Sequence, residues 1–549
     1  MPRDPRSKIQ LIYINARRRR NGSRLTKDRI IPRTMSTQHP DNTTAPRWSS
    51  SEVIGGEDEL HEAYFAYHNL GCREVMWDSE GKDVDTNVVR KLLSSYPEYF
   101  KERVIGEDIF LTYRIPNPQI EVAERKIVTQ TLQTIPLSSD VATVFYERDS
   151  VPIFEVILPF ATSGSELAWL HDYYQKAIAG VDRLDLLGSI TVKDWIGSSK
   201  PKNIEVIPLV ERMENLLSID GLVLEYLEAV KVDHMRVFLA RSDPALNYGL
   251  IPAVLLSKIA LSKLHSVEKK KGVRMHPIIG VGSMPFRGHL SPDNIQNFLE
   301  EHKGLATVTT QSAFRYDYPL ASVRGAVATL NTNLPNGEPR EIAREEQGII
   351  VGLMGKLISS YQKRVEGLAP LINSLAEYVP KRRTRKLHIG LFGYGRNVGG
   401  IVMPRAIPFA ASFYSIGIPP EFIGAAAILD LKEEEWTALQ NNYLNIKIDF
   451  KKVQSLVSWE TINMIIDAHP RVARRAKMSR DKLKAALGGL MSDLAAVEDS
   501  LSVKLGPRGS MSKKYENFIN NFFISYLERQ DGDAKTAFVE AARLRRCIG

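Results

Sequence analysis

The chain has 549 residues, 43% hydrophobic and 25% charged, which excludes a disordered or collagen-like protein and allows a large core. Only Cys72 and Cys547 occur, too few and too far apart for a disulfide scaffold or a zinc site, so a reducing cytosol is the expected setting. The formal charge of +9 resides wholly in residues 1–34, with 11 Lys/Arg against 2 Asp/Glu, while the other 515 residues balance. A basic arm of this kind can bind phosphate backbones or anionic membrane. No aromatic or glycine-rich RNA-binding pattern accompanies Arg17, Arg18, Arg19 and Arg20, which favours a disordered extension or sequence upstream of a start at Met35 over a nucleic-acid partner.

From residue 71 onward, short apolar runs each end in a polar cluster, and most of the intervals carry helix. The runs are Glu74–Trp77, Ile109–Tyr113, Ile153–Leu158, Ile204–Leu209, Met235–Leu239, Pro277–Val281, Ala306–Thr310 and Leu387–Phe392. Eight strands in βα alternation suit an α/β (β/α)8 TIM barrel, with a doubly wound open sheet as the competing arrangement. The expected organisation is a basic extension over 1–34, a catalytic barrel over 35–430 and a helical region over 431–549. No run spans a membrane: the most apolar stretch, Ala406–Leu431, is broken by Pro408, Pro419, Pro420, Glu421 and Asp430. The polar stretch Asn331–Gln347 is either a loop over the active site or solvated surface.

Residues at the strand ends carry the functional signal. Asp78 follows the first run, Arg114 the second, Glu211 the fourth, and Arg241 with Asp243 the fifth. "GSMPFRG" follows the sixth, with Gly282, Ser283 and Arg287; "QSAFRYD" follows the seventh, with Gln311 and Arg315; "GYGRN" follows the eighth, with Arg396. In a barrel these positions converge on the carboxyl face, where carboxylates facing arginines suit a divalent cation and an anionic substrate. Gly282 and Gly288 flank Arg287 and suggest a backbone that approaches a ligand closely. "GYGRNVGG" places Val398 where a dinucleotide fingerprint needs its third glycine, so a nicotinamide enzyme is a weak alternative. His39 stands before Pro40, which biases it to extended backbone.

Together, "MSTQHPDN", "EVMWDSEGKDVDTNVV", "TYRIPNP", "EVILPFATS", "VGSMPFRG", "TTQSAFRYDYP" and "MPRAIPFAASFYSIGIPPEFIG" resemble the short, archaeal type of phosphoenolpyruvate carboxylase from Met35 to the end of the chain. The resemblance implies a TIM barrel wrapped in helices, a homotetramer, a requirement for Mg²⁺ or Mn²⁺, and conversion of phosphoenolpyruvate and bicarbonate to oxaloacetate and phosphate through carboxyphosphate and a metal-stabilised enolate. Compared with the larger carboxylases, "TQHPD" resembles "TAHPT" and implies a catalytic role for His39. In the same way "LTYR" implies a substrate arginine at Arg114, and "VIPLVE" and "RSDPALNYG" imply metal ligands at Glu211 and Asp243. "FRG" implies an anion-binding Arg287, and "MPRAIPF" covers Arg405. Ile279 and Val281 stand where the remoter relatives carry a histidine and an arginine, Leu246 replaces a lysine, and the chain ends in Arg546-Cys547-Ile548-Gly549 rather than Asn-Thr-Gly. A different enolate enzyme on the same barrel, an aldolase or lyase, would share the carboxylates but need no bicarbonate.

Overall fold

The computed structural model describes residues 29–80, 85–121, 125–384, 397–398 and 401–549, of which Pro32–Gly549 form one compact unit. Eight parallel strands close into a barrel: β1 (Thr34–Ser36), β2 (Glu74–Asp78), β3 (Phe110–Arg114), β4 (Glu155–Leu158), β5 (Glu205–Val210), β6 (His234–Ala240), β7 (Arg274–Gly280) and β8 (Thr307–Thr310). Each pairs with its sequence neighbours, and β1 closes the ring by pairing with both β8 and β2. Seven of the expected strands are present. The eighth expectation, Leu387–Phe392, lies outside the described residues, and the barrel is closed instead by the Thr-Met-Ser strand β1. Three residues with a single large apolar side chain carry no readable alternation, so β1 is invisible to a pattern search. All eight strands lie between Thr34 and Thr310.

Strand side chains alternate between two apolar environments, as the two-residue period requires. Met35, Met76, Ile157, Ile207, Leu209, Phe238 and Ile278 fill the interior of the barrel. Val75, Trp77, Leu111, Tyr113, Val156, Val206, Val237, Leu239 and Ile279 face outward into the core shared with the helices. The strands therefore read as continuous apolar runs, buried on both faces. Helix α1 (Leu250–Lys271) is long and apolar enough to cross a membrane, but 78% of that stretch is buried inside the fold, as befits a core helix. The chain then turns helical: α2 (Arg344–Ala376), α3 (Ala406–Tyr414), α4 (Arg480–Leu501), α5 (Ser510–Glu528) and α6 (Asp531–Arg545). The polar segment between Asn331 and Gln347 bonds through Asn336 to the Leu299 carbonyl and through Ile342 to Ser262. Leu299 lies on the helix that leads into β8, so this segment packs toward the amino end of the barrel, away from the strand-end residues.

That amino end holds a fully buried charge cluster. Arg236 of β6 donates to both oxygens of Glu74 on β2, at 2.8 and 2.7 Å, to Glu155 on β4 at 2.9 Å and to Thr307 on β8 at 3.2 Å. Burial disfavours the guanidinium charge, but Glu155 and Glu74 outweigh it and hold the proton more tightly than usual. One side chain thus ties four strands together where apolar filling is absent. Arg236→Met leaves two carboxylates facing each other without a counter-charge, and a loss of about 3–5 kcal/mol in urea unfolding is expected. A loss below about 1 kcal/mol would show that the cluster is dispensable.

Candidate active site

The carboxyl ends of the strands bring together most of the predicted site residues. The segment leaving β1 carries His39, which is half-buried, with Nδ1 2.9 Å from Thr37 Oγ1; its carbonyl accepts the Ser312 N–H at 3.3 Å from the loop after β8. β1, which ends three residues before His39, supplies the reason this residue reaches the site. Two residues on, Asp41 is wholly buried, accepting Arg287 Nη1 at 3.0 Å and the Ala313 N–H at 2.7 Å. Burial pushes its carboxyl above the usual range against the pull of Arg287.

Arg287 is the centre of this half of the site. Its Nε donates to Ser242 Oγ at 3.2 Å, Nη1 donates to Asp41 and to the Gly549 carbonyl at 2.7 Å, and Nη2 donates to Gln311 Oε1. Four of its five N–H groups are thereby committed, leaving one on Nη2. Gly282 and Gly288 serve this side chain. A Cβ on Gly282 would lie 3.0 Å from the guanidinium, and one on Gly288, at φ +117°, would lie 2.4 Å from Val281 Cγ1. The close approach expected of these glycines is to Arg287 itself and its own turn. Ser283, next to Gly282, buries a hydroxyl that makes no hydrogen bond among the described residues.

Arg315 lies deeper. It donates to Ser36 Oγ at 2.6 Å, the Thr37 carbonyl at 2.8 Å and Glu62 at 3.0 Å, clamping the start of the His39 segment. Glu62 in turn accepts Arg383 Nη2 through both oxygens, at 2.8 and 2.7 Å, and the Tyr316 hydroxyl at 3.0 Å. Burial opposes the Glu62 charge, but Arg383 and Arg315 prevail and hold its carboxyl down to about 2.

The other half of the site is acidic. Asp78 and Arg114 are register partners at the ends of β2 and β3, which explains their two-pronged pairing at 2.9 and 2.7 Å. Glu80 lies 3.2 Å from the same guanidinium. Burial works against the Arg114 charge, but Asp78 and Glu80 outweigh it, with a further contribution from Glu211. Among the described residues these contacts run through Nε and Nη2 of Arg114. Glu211, buried, follows β5; Asp243, half-buried, opens the short helix after the adjacent strand β6. Among the described residues no three His, Cys, Asp or Glu side chains form a complete metal-ligand set.

Arg396 lies outside the described residues. Arg405 is the half-buried N-cap of α3, the helix on which Gly549 packs. Arg241 turns away from the site to the carbonyls of Phe286 and Leu250, at 3.3 and 3.5 Å. Ile279, Val281 and Leu246, which stand where the remoter relatives carry charges, are buried in the apolar core. Asp41 and Glu62 escaped the sequence reading. Asp41 sits inside the "STQHPDN" motif, but Glu62 has no local signal, since its two arginines are 253 and 321 residues away.

Glu62→Gln removes the negative charge that Arg315 and Arg383 share, leaving Arg383 only its second carboxylate, Glu59, among the described residues. A loss of about 3–5 kcal/mol in urea unfolding is expected, with faster amide exchange over residues 36–44. Unchanged exchange in that segment would show that Glu62 does not hold it.

Residues 31–549 match the phosphoenolpyruvate carboxylase family. Proteins named phosphoenolpyruvate carboxylase from Metallosphaera sedula and Caldivirga maquilingensis are 45% and 44% identical over 521 residues, covering 95% of this chain and 100% of each relative. One from Picrophilus torridus is 42% identical over 524 residues, covering 95% of this chain and 99% of the relative. A solved malate synthase from Haloferax volcanii, in a pyruvate and acetyl-CoA complex, aligns over 85% of this chain and 99% of its own at 12% identity and a TM-score of 0.35. The barrel assignment rests on the strand pairing, and the match over nearly its whole length places the chain in the phosphoenolpyruvate carboxylase family.

Proposed function

We propose that the chain joins phosphoenolpyruvate and bicarbonate to give oxaloacetate and phosphate at the carboxyl end of its barrel. The observation that carries this reading is the convergence there of His39, Arg114, Arg287, Glu211 and Asp243, from the ends of five strands, within a family that bears this activity in its name. Phosphoenolpyruvate is a compact polyanion and bicarbonate a weak nucleophile, so the protein must neutralise charge and hold the two in line. Arg114, fixed by Asp78 and Glu80, presents Nη1, and Arg287, fixed by Asp41, Gln311 and Ser242, presents its remaining Nη2 donor. Gln311, Gly282 and Ser283 complete the anion-binding wall, and Arg396 and Arg405 are assigned to it by family resemblance. Arg315, whose bonds run to Ser36, Thr37 and Glu62, acts by positioning the His39 segment.

Glu211 and Asp243 are hard oxygen donors at the ends of adjacent strands, and two carboxylates with the remaining positions left to water and substrate suit Mg²⁺ or Mn²⁺. Such a cation, when bound, withdraws charge from the phosphate and the enolate oxygen. A bicarbonate oxygen attacks phosphorus, the bond from phosphorus to the enol oxygen breaks, and its electron pair stays on the enolate. His39 takes the proton of the resulting carboxyphosphate, imidazole being the side chain that titrates near neutrality. Carbon dioxide and phosphate separate, and the enolate carbon attacks carbon dioxide to form oxaloacetate. A homotetrameric, cytosolic enzyme completes the proposal; two buried, unpaired cysteines suit a reducing compartment.

The reaction itself is tested by following oxaloacetate and phosphate with and without bicarbonate. Equal release of both, dependent on bicarbonate, is expected; phosphate without oxaloacetate would indicate an enolate enzyme that does not carboxylate. His39→Asn is expected to keep cleaving phosphoenolpyruvate while oxaloacetate falls at least a hundredfold, since general acid–base groups contribute about 10²–10⁴. Wild-type carboxylation in that variant removes His39 from the mechanism. Asp243→Asn is expected to raise the Mg²⁺ concentration for half-maximal activity about tenfold or more, the loss that even outer partners of a metal cause. An unchanged metal titration removes Asp243 from the site.

A further inference from the structure

Arg287 rides on a single 3₁₀ turn, Pro285–Arg287, and so short a turn does little to fix its own direction. Local bonds close it: the Gly282 N–H donates to the Arg287 carbonyl at 2.7 Å, and the Arg287 N–H to the Met284 carbonyl at 2.9 Å. The rest of the hold comes from behind, at Phe286. Its ring stacks on Phe409 of α3 with centroids 5.7 Å apart, and its carbonyl accepts Arg241 Nη1 at 3.3 Å. Its N–H donates to Oε1 of Glu421 at 3.0 Å, across 135 residues of chain.

Glu421 is 2% exposed and takes no part in the reaction described above. The Tyr414 hydroxyl donates to the same oxygen at 2.6 Å, while Oε2 is buried with no hydrogen bond among the described residues. A carboxyl buried on such terms costs the fold free energy, and an apolar side chain at this position would not hold the Phe286 N–H. The C-terminal helices back the contact. The Tyr414 carbonyl accepts the Tyr515 hydroxyl of α5 at 2.6 Å, and Arg545 of α6 donates to that hydroxyl at 3.2 Å.

We infer that Glu421 is a positioning residue for Arg287: by holding the Phe286 peptide it sets the direction in which the next side chain presents its guanidinium to the bound anion. The inference rests on the reading that Arg287 binds the anionic substrate. Burial pushes the Glu421 carboxyl up to about 7, against the bonds from Tyr414 and the Phe286 N–H, and Asp449 of the helix Ile446–Val453 adds to the rise. Arg241 and Tyr515 are the other charged or titratable groups that sense it. Helix α4, packed against the same turn, keeps Asp493 on the N–H groups of Gly424 and Ala426. A carboxylate accepts a hydrogen bond more strongly than a neutral acid. The hold on Phe286 is therefore full above about pH 7 and weakens as the pH falls through that value.

The test compares the full-length wild type with Glu421→Gln, which keeps the shape and lacks the charge. At about pH 8 the variant is expected to raise KM for phosphoenolpyruvate about tenfold with kcat changed less than about threefold. The gap is expected to narrow to about twofold at about pH 6, where the wild type also carries a neutral group. Equal KM values at both pH values, a loss confined to kcat, or a gap that ignores pH overturns the inference. Tyr414→Phe removes a bond that favours the charge, so the rise in KM is expected to begin at higher pH. If Glu421→Gln does not fold, that shift decides, and an unmoved profile overturns the inference. Amide exchange over residues 282–290, referred to the barrel strands at the same pH, is expected to quicken in Glu421→Gln at about pH 8. Unchanged exchange there overturns the inference. A wild type that makes no oxaloacetate, with exchange still quickened in the variant, overturns the proposed reaction and leaves the hold on Arg287 standing.

Discussion

The site depends above all on the contact between Asp41 and Arg287. Arg287 is 1% exposed and Asp41 fully buried, and a charge so far from water persists only with a partner and satisfied donors. Arg287 draws its partners from four places: Asp41 after β1, Ser242 after β6, Gln311 after β8 and Gly549 at the far end of the sequence. Breaking that node would free the His39 segment, the glycine-bearing turn after β7 and the end of the chain together. Gly282 and Gly288 follow from the same constraint, since a side chain at either would occupy the space that Arg287 or its turn needs.

A second layer holds the first. Arg315 and Arg383 converge on Glu62, and Arg315 reaches on to Ser36 and Thr37 at the end of β1. Arg382 adds a bond to the Thr43 carbonyl at 2.7 Å, so the segment carrying His39 is gripped on both sides. β1 is only three residues long, and these charge-assisted bonds supply the rigidity that its short ladder cannot. Catalysis needs such rigidity, because a proton acceptor displaced by an ångström loses much of its effect. The acidic half is built differently. Register alone places Asp78 beside Arg114, and adjacent strands bring Glu211 and Asp243 to one rim.

Most of the barrel was legible because its strands are buried on both faces and read as apolar runs ending in polar clusters. β1 was not, since "TMS" is too short to show a period, and its absence left a place that Leu387–Phe392 was expected to fill. The strand-end residues Arg114, Glu211, Asp243, Arg287 and Gln311 were legible because position after a strand predicts the face on which a side chain emerges. Arg241 obeys the same rule of position, yet its side chain turns toward Phe286 and Leu250, a choice made by packing.

By itself, then, the sequence determined the alternation of strands and helices, the absence of net charge outside its first 34 residues, and the residue types gathered at the strand ends. Tertiary structure alone decided that β1 closes the ring, that Asp41, Gln311 and Gly549 share one guanidinium, that Glu62 joins two arginines, and that Glu421 meets the turn of Arg287. The physical reason is common to all four. Periodicity is a local property that neighbouring residues record, whereas strand closure, buried ion pairs and buried hydrogen bonds depend on partners far away in the chain.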